Sequence, residues 1–156
     1  MKYFTIYTDG SCIKNPGGAG GWVAIVLNDR EKVDLIEIHG GEESTTNNRM
    51  ELTAAIKGLE LVEEGEVDVL IYTDSQYLSN AFSKGWVKKW SWNGWKTSNR
   101  TPVKNQDLWI ELMALVKKRS RVEFRWIKGH DGNVNNEKCD RLANQEALRF
   151  DSLKKQ

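Results

Sequence analysis

Strand-like and helix-like periods follow one another in an order that permits few folds. Residues 3–8 alternate and are β-branched or aromatic, so they read as a strand. Residues 22–27 are almost continuously apolar, as in a strand covered on both faces, and 33–39 read as a third strand. The glycine-rich stretch 11–21, with Pro16, reads as the loop between the first two. Helical period then appears over 47–63, followed by a strand at 67–72, helices at 75–82 and 107–118, a strand at 122–127 and a helix at 136–150. Three strands in close succession suit an antiparallel meander. Strands separated by helices join a sheet in parallel. The expected architecture is α/β, a mixed sheet with helices on both faces.

The chain has 156 residues, the size of one domain, so 1–156 is expected to form a single unit around one core. No apolar run nears the ~20 residues of a membrane span, and the first ten residues lack the pattern of a signal peptide. No membrane association is therefore expected. Two cysteines, Cys12 and Cys139, suggest neither a disulfide framework nor a zinc cluster. A reduced, cytoplasmic protein is expected. The net charge is +1, which at face value argues against a wholly basic nucleic-acid binder.

Four carboxylates stand where burial should exclude them. At about 100° per residue, Glu51 lies in the centre of an apolar stripe with Ala54, Ala55, Gly58, Leu59 and Val62, opposite Thr53, Lys57, Glu60 and Glu64. Asp9 ends the first strand pattern, and Asp74 follows the run Val-Leu-Ile-Tyr-Thr. Both are at carboxyl ends of strands, where open α/β sheets place their sites. Asp140 borders a small-residue stripe with Ala143 and Ala147. Each has a plainer reading: a turn at Asp9-Gly10, a helix cap at Asp74-Ser75, a buried ion pair at Glu51, a surface charge at Asp140. Together, with no matching row of buried cations, they point to hard divalent ions such as Mg²⁺ or Mn²⁺. Such a set can hold two ions and clamp both oxygens of a phosphoryl displacement.

Segment 84–104 holds Lys84, Lys88, Lys89, Lys96, Arg100 and Lys104 and no acid, a local charge of +6 that leaves −5 for the rest of the chain. It also holds Trp86, Trp90, Trp92 and Trp95, four of the seven tryptophans. Cations interleaved with indoles suit a nucleic acid. The alternative is a helical flap docked by its indoles, with Trp86 and Trp90 on one face and the lysines in water.

Thr45, Thr46, Asn47 and Asn48 precede the helix of Glu51, and one of them is expected to cap it. The remaining amides, and Gln76 two residues after Asp74, carry the donors and acceptors that suit a 2′-hydroxyl. The glycine-rich turn at Asn15 offers backbone amides. His130, in Lys-Gly-His-Asp-Gly-Asn, is either a proton carrier or an ordinary loop histidine. His39 is read as structural.

These residues together resemble bacterial type 1 ribonuclease H. The matching stretches are TDGSC at 8–12, NPG at 15–17, TTNNRMEL at 45–52, TDSQY at 73–77, GWKT at 94–97, PVKN at 102–105, DLW at 107–109, KGH at 128–130 and NEKCDRLA at 136–143. The resemblance implies a five-stranded mixed sheet of order 3-2-1-4-5. It implies an endonuclease that hydrolyses the RNA strand of an RNA/DNA hybrid with two Mg²⁺ ions and leaves 5′-phosphate and 3′-hydroxyl ends. Mn²⁺ is expected to support activity as well. By the same resemblance, Asp9, Glu51, Asp74 and Asp140 match the metal-binding carboxylates and His130 the loop histidine of proton transfer or product release. Cys12, Asn15, Asn47, Asn48 and Gln76 match substrate contacts, and Thr46 and Asn105 a pocket for a DNA phosphate. Trp86, Trp90, Lys88 and Lys89 match a basic protrusion that grips the DNA strand. A monomer with no obligatory protein partner is implied.

Two departures from the family pattern stand out. The loop NPGGAGGW is one residue longer than the usual form, and Ser44 replaces an arginine beside the phosphate pocket. No separate hybrid-binding domain is expected ahead of this one, so the protrusion has to supply that affinity. Two other readings compete: another two-metal nuclease of the same fold, and a hybrid-binding module without catalysis. The asparagine cluster and protrusion count against the first, and the complete carboxylate set against the second.

Overall fold

A computed structural model describes residues 2–29, 35–129 and 132–155. Its five strands are β1 (Lys2–Cys12), β2 (Gly20–Asn28), β3 (Leu35–Glu42), β4 (Gly65–Thr73) and β5 (Arg119–Trp126). Its helices are α1 (Asn47–Glu60), α2 (Gln76–Ser83), α3 (Trp86–Trp92), α4 (Gln106–Lys117) and α5 (Val134–Lys154). The strands form one sheet in the order β3-β2-β1-β4-β5. The first three pair antiparallel, and β4 and β5 join in parallel. This is the mixed sheet expected from the sequence.

Alternation along the central strands decides which helix covers which face. Ile6, Ala24, Val26 and Ile71 face the larger core, built with Leu52, Leu59, Leu78, Trp109 and Leu112 from α1, α2 and α4. Val23 and Ile25 point the other way and meet Cys139 and Ala143 of α5. The 22–27 run is therefore apolar throughout because both faces are covered. A Cβ on Gly21 would stand 2.2 Å from the carbonyl oxygen of Ala143, so the bare backbone there lets α5 lie directly on β2. Arg119, buried at the start of β5, donates to the carbonyls of Leu59, Val62 and Leu115 and ties the ends of α1 and α4 together.

Several elements differ from expectation. β1 does not end at Asp9 but runs to Cys12, because β2 continues to pair with it as far as Cys12 opposite Gly20. The expected 11–21 loop shrinks accordingly. α1 closes at Glu60, with Leu61 as its C-cap, rather than reaching 63. β3 extends to Glu42, while Val33 and Asp34 of the expected third strand lie outside the described residues. α3 is a separate helix in the tryptophan-rich segment, absent from the expected element order.

Candidate active site

The site forms where neighbouring strands part. β1 stays paired with β2 beyond Asp9, which lies opposite Val23, but its pairing with β4 ends at Tyr7 opposite Tyr72. The crevice opened between β1 and β4 is the point at which chain order reverses across the sheet. Asp9 stands on one side of it and Asp74, one residue past β4, on the other.

α1 brings Glu51 to the same place. Thr46 is the N-cap, its hydroxyl accepting from the amide of Arg49 at 3.2 Å. Five residues on, Glu51 is buried with only 6% of its surface exposed, as its position in the apolar stripe implied. Asp74 is not itself a helix cap. Ser75 caps α2, its hydroxyl accepting from Leu78 at 3.1 Å. That leaves the Asp74 carboxylate to the crevice, where a ligand oxygen each from Asp9, Glu51 and Asp74 falls within 4.8 Å of the others. Asp140 of α5 lines the same cavity of about 400 Å³ with these three, Gly10, Ser11, Cys12, Asn47, Asn48 and Ser75. None of these residues is basic.

Without a cation, Asp9 and Glu51 hold protons more tightly than ordinary carboxyls. Burial, and then the charges of Asp74 and Asp140, raise Asp9 from the ordinary aspartate range to about 8. Glu51 is raised well above its usual value, first by burial and then by Asp9 and Asp74. A hydrogen bond between the two carboxyls couples them, raising Glu51 and lowering Asp9. The buried Oε2 of Glu51 has no hydrogen-bond partner. A buried oxygen without a donor is costly, and a hard cation satisfies it. The oxygen-only donor set therefore fits a divalent ion of the Mg²⁺ type.

Polar groups rim the crevice. Asn47 and Asn48 are exposed at the start of α1. The side-chain oxygen of Asn15 accepts from the Asn47 amide at 3.1 Å and joins the long glycine loop to α1. The Cys12 thiol faces the carbonyls of Ile13, Gly18 and Thr45 at 3.5–3.6 Å. Ser44 donates to the carbonyl of Gly17 at 2.8 Å and thus braces the loop. Gln76 is exposed at the start of α2, outside the cavity lining. His130 lies outside the described residues.

Thr46 and Asn105 are linked through a residue that the sequence reading did not single out. Arg49 donates to Asn105 at 3.4 Å and to both oxygens of Asp107 at 3.0 and 2.8 Å. Asn105 also donates to the Tyr77 hydroxyl, which accepts from Trp109 at 2.9 Å. The signal was available, since Arg49 lies inside the TTNNRMEL stretch.

The tryptophan-rich segment divides its labour. Val87 of α3 is buried, and Trp90 meets Trp109 edge-on with ring centres 5.7 Å apart. Trp90 and Trp95 thus pack against the core, as the flap reading held. Trp86 remains exposed beside Trp90, and Trp92 is 84% exposed. Trp86, Lys89, Trp90, Asn93, Lys96, Thr97 and Ser98 line a second cavity of about 380 Å³.

Comparison with known proteins decides the family. The family model described as RNase H matches residues 1–148. The chain belongs to the RNase H family. By family it is a ribonuclease, that is, a hydrolase. Ribonuclease H of Oleidesulfovibrio alaskensis is 49% identical over 149 residues, covering 96% of this chain and 93% of the relative. Ribonuclease HI of Neisseria meningitidis serogroup B is 51% identical over 146 residues, covering 93% and 95%. Among solved structures, LC9-RNase H1, a type 1 RNase H with the type 2 active-site motif, superposes with a TM-score of 0.81 at 29% identity, over 96% of this chain and 74% of that one. LC11-RNase H1, solved in complex with RNA/DNA hybrid, shares the fold with a TM-score of 0.66 at 21% identity, over 94% and 97%. Among the described residues no helix is long and apolar enough to cross a membrane.

Proposed function

We propose that this chain is an endonuclease that hydrolyses the RNA strand of RNA/DNA hybrids in a Mg²⁺-dependent reaction, leaving 5′-phosphate and 3′-hydroxyl ends. The observation that carries this reading is the convergence of Asp9, Glu51 and Asp74 within 4.8 Å at the parting of β1 and β4. Asp9, Glu51, Asp74 and Asp140 hold two Mg²⁺ ions, for which Mn²⁺ can substitute. When bound, such ions supply Lewis-acid activation of water and offset charge at the leaving 3′-oxygen.

The remaining roles belong to side chains around the crevice. Asn47, Asn48 and Gln76 read the 2′-hydroxyl, which distinguishes RNA and is not the nucleophile. Asn15 and Cys12 hold the glycine loop against the RNA backbone. Thr46 and Asn105, joined by Arg49, receive a phosphate of the DNA strand. Lys88, Lys89 and the exposed edge of Trp86 grip that strand, while Trp90 anchors the protrusion on which they stand. His130 moves a proton or assists product release. The protein works as one domain over 1–156, as a monomer in the cytoplasm, without an obligatory protein partner.

Matched RNA/DNA, RNA/RNA and DNA/DNA duplexes incubated with Mg²⁺ test this reading. Cleavage confined to the RNA of the hybrid is expected. Equal cleavage of DNA/DNA would overturn it, and tight hybrid binding without cleavage would point to a binding module.

A further inference from the structure

Asp74 is the one clustered carboxylate that follows directly on the end of a strand, and its backbone is held from both sides. The β4–β5 ladder closes at Thr73 opposite Trp126. One residue further, the Ile127 amide donates to the Thr73 carbonyl at 2.9 Å. The Asp74 carbonyl lies past the ladder and accepts at 3.0 Å from Nε1 of Trp126. The Ser75 amide donates to the Thr73 hydroxyl at 3.0 Å. The peptide planes before and after Asp74 are thus both tied to neighbours. A residue has two soft backbone angles, so fixing both planes fixes the direction in which its side chain leaves the chain.

Burial does not account for a tryptophan at this position. Phe124, two residues earlier on the same strand face, belongs to the core with 9% exposure, whereas Trp126 is 44% exposed and stands outside it. What the indole adds over another large side chain is a donor at the end of a long, rigid ring, which reaches the carbonyl after the last ladder pair. On the far side, a Cβ on Gly129 would stand 3.2 Å from Oδ2 of Asp74, so the bare backbone there leaves the carboxylate the space that a side chain would crowd.

We propose that Trp126 is a positioning residue, whose indole N–H holds the Asp74 backbone so that its carboxylate is aimed at Asp9 and Glu51 before any ion arrives. The inference rests on the reading that this cluster binds Mg²⁺. Outer contacts that orient a metal ligand are worth tenfold or more in metal affinity.

The test is a calorimetric Mg²⁺ titration of wild type, Trp126→Phe and Asp9→Asn, with hybrid kinetics and the ¹H–¹⁵N indole resonance of Trp126 followed in wild type. Trp126→Phe is expected to bind Mg²⁺ about tenfold more weakly. Its kcat should fall at fixed Mg²⁺, with KM for the hybrid unchanged. The Trp126 resonance should move along the same curve as Mg²⁺ binding, which decides the matter even if the variant does not fold. Unchanged Mg²⁺ affinity in Trp126→Phe, or a resonance that stays fixed, overturns the inference. If Asp9→Asn abolishes Mg²⁺ binding in that case, only the role of Trp126 fails. If wild type shows no binding that depends on Asp9, the reading of the cluster fails and takes this inference with it.

Discussion

A Cβ placed on Gly10 would lie 2.5 Å from the backbone nitrogen of Glu51, closer than any side chain can sit. This contact lets α1 press onto β1 beside Asp9 and delivers Glu51 to the crevice. Gly10→Ala forces strand and helix apart. Overpacking of this kind costs about 1–3 kcal/mol. A lower melting temperature and weakened Mg²⁺ binding are expected. If both stay at wild-type values, the helix is free to retreat and the close approach is not what places Glu51.

The metal-free protein should lose stability as pH rises through the neutral range. Asp9 titrates near 8 in the folded state, against about 4 in an unfolded chain. Between those values the folded state holds a proton that the unfolded state has released, so unfolding becomes easier with rising pH. The contribution is complete below pH ~4 and lost as pH passes 8. Melting in EDTA across this window checks the sign. The decline should shrink in Asp9→Asn and reverse with Mg²⁺, which binds the deprotonated cluster. A flat wild-type profile in EDTA would contradict it.

Removing different tryptophans should do different things. Trp90 packs on Trp109, so Trp90→Ala is expected to cost about 3 kcal/mol, the low end for a core indole. Trp92, almost fully exposed, should change stability by less than about 0.5 kcal/mol when replaced by alanine. Thermal melts separate the two. Lys88→Ala with Lys89→Ala should leave stability alone and reduce the salt slope of hybrid binding by about 2, one per phosphate contact. An unchanged slope would leave both lysines as solvated charges.

Arg49 should matter more for binding than for turnover. Its guanidinium joins Asn105 and Asp107 rather than the carboxylate cluster. Arg49→Ala is expected to raise KM for the hybrid several-fold while kcat changes little. A fall in kcat at unchanged KM would instead tie Arg49 to the chemistry.

The sheet was legible because periodicity is local. Alternation in β1, the doubly covered run in β2 and the stripe around Glu51 each reflect neighbours within a few residues. The extension of β1 past Asp9 was not legible, since Gly10, Ser11 and Cys12 lack alternation and are held by pairing to β2. α3 was legible only as the helical-flap alternative, because its lysines and tryptophans carry a composition signal stronger than their helical spacing. Arg49 acquires its meaning only from Asn105 and Asp107, more than 50 residues away, and Trp126 from Asp74, 52 residues away. The near-neutral total charge concealed two opposed local fields, one of cations on the protrusion and one of carboxylates in the crevice.

The central claim is that the carboxylate cluster drives hydrolysis of RNA in a hybrid held separately by the protrusion. A hybrid labelled differently on each strand, incubated with Mg²⁺ and either wild type or Asp9→Asn, tests it most directly when binding is measured alongside. The account predicts fragments of the RNA strand only, from wild type only, with the hybrid bound by both proteins. Fragments of the DNA strand at a comparable rate, or undiminished cleavage by Asp9→Asn, would contradict it.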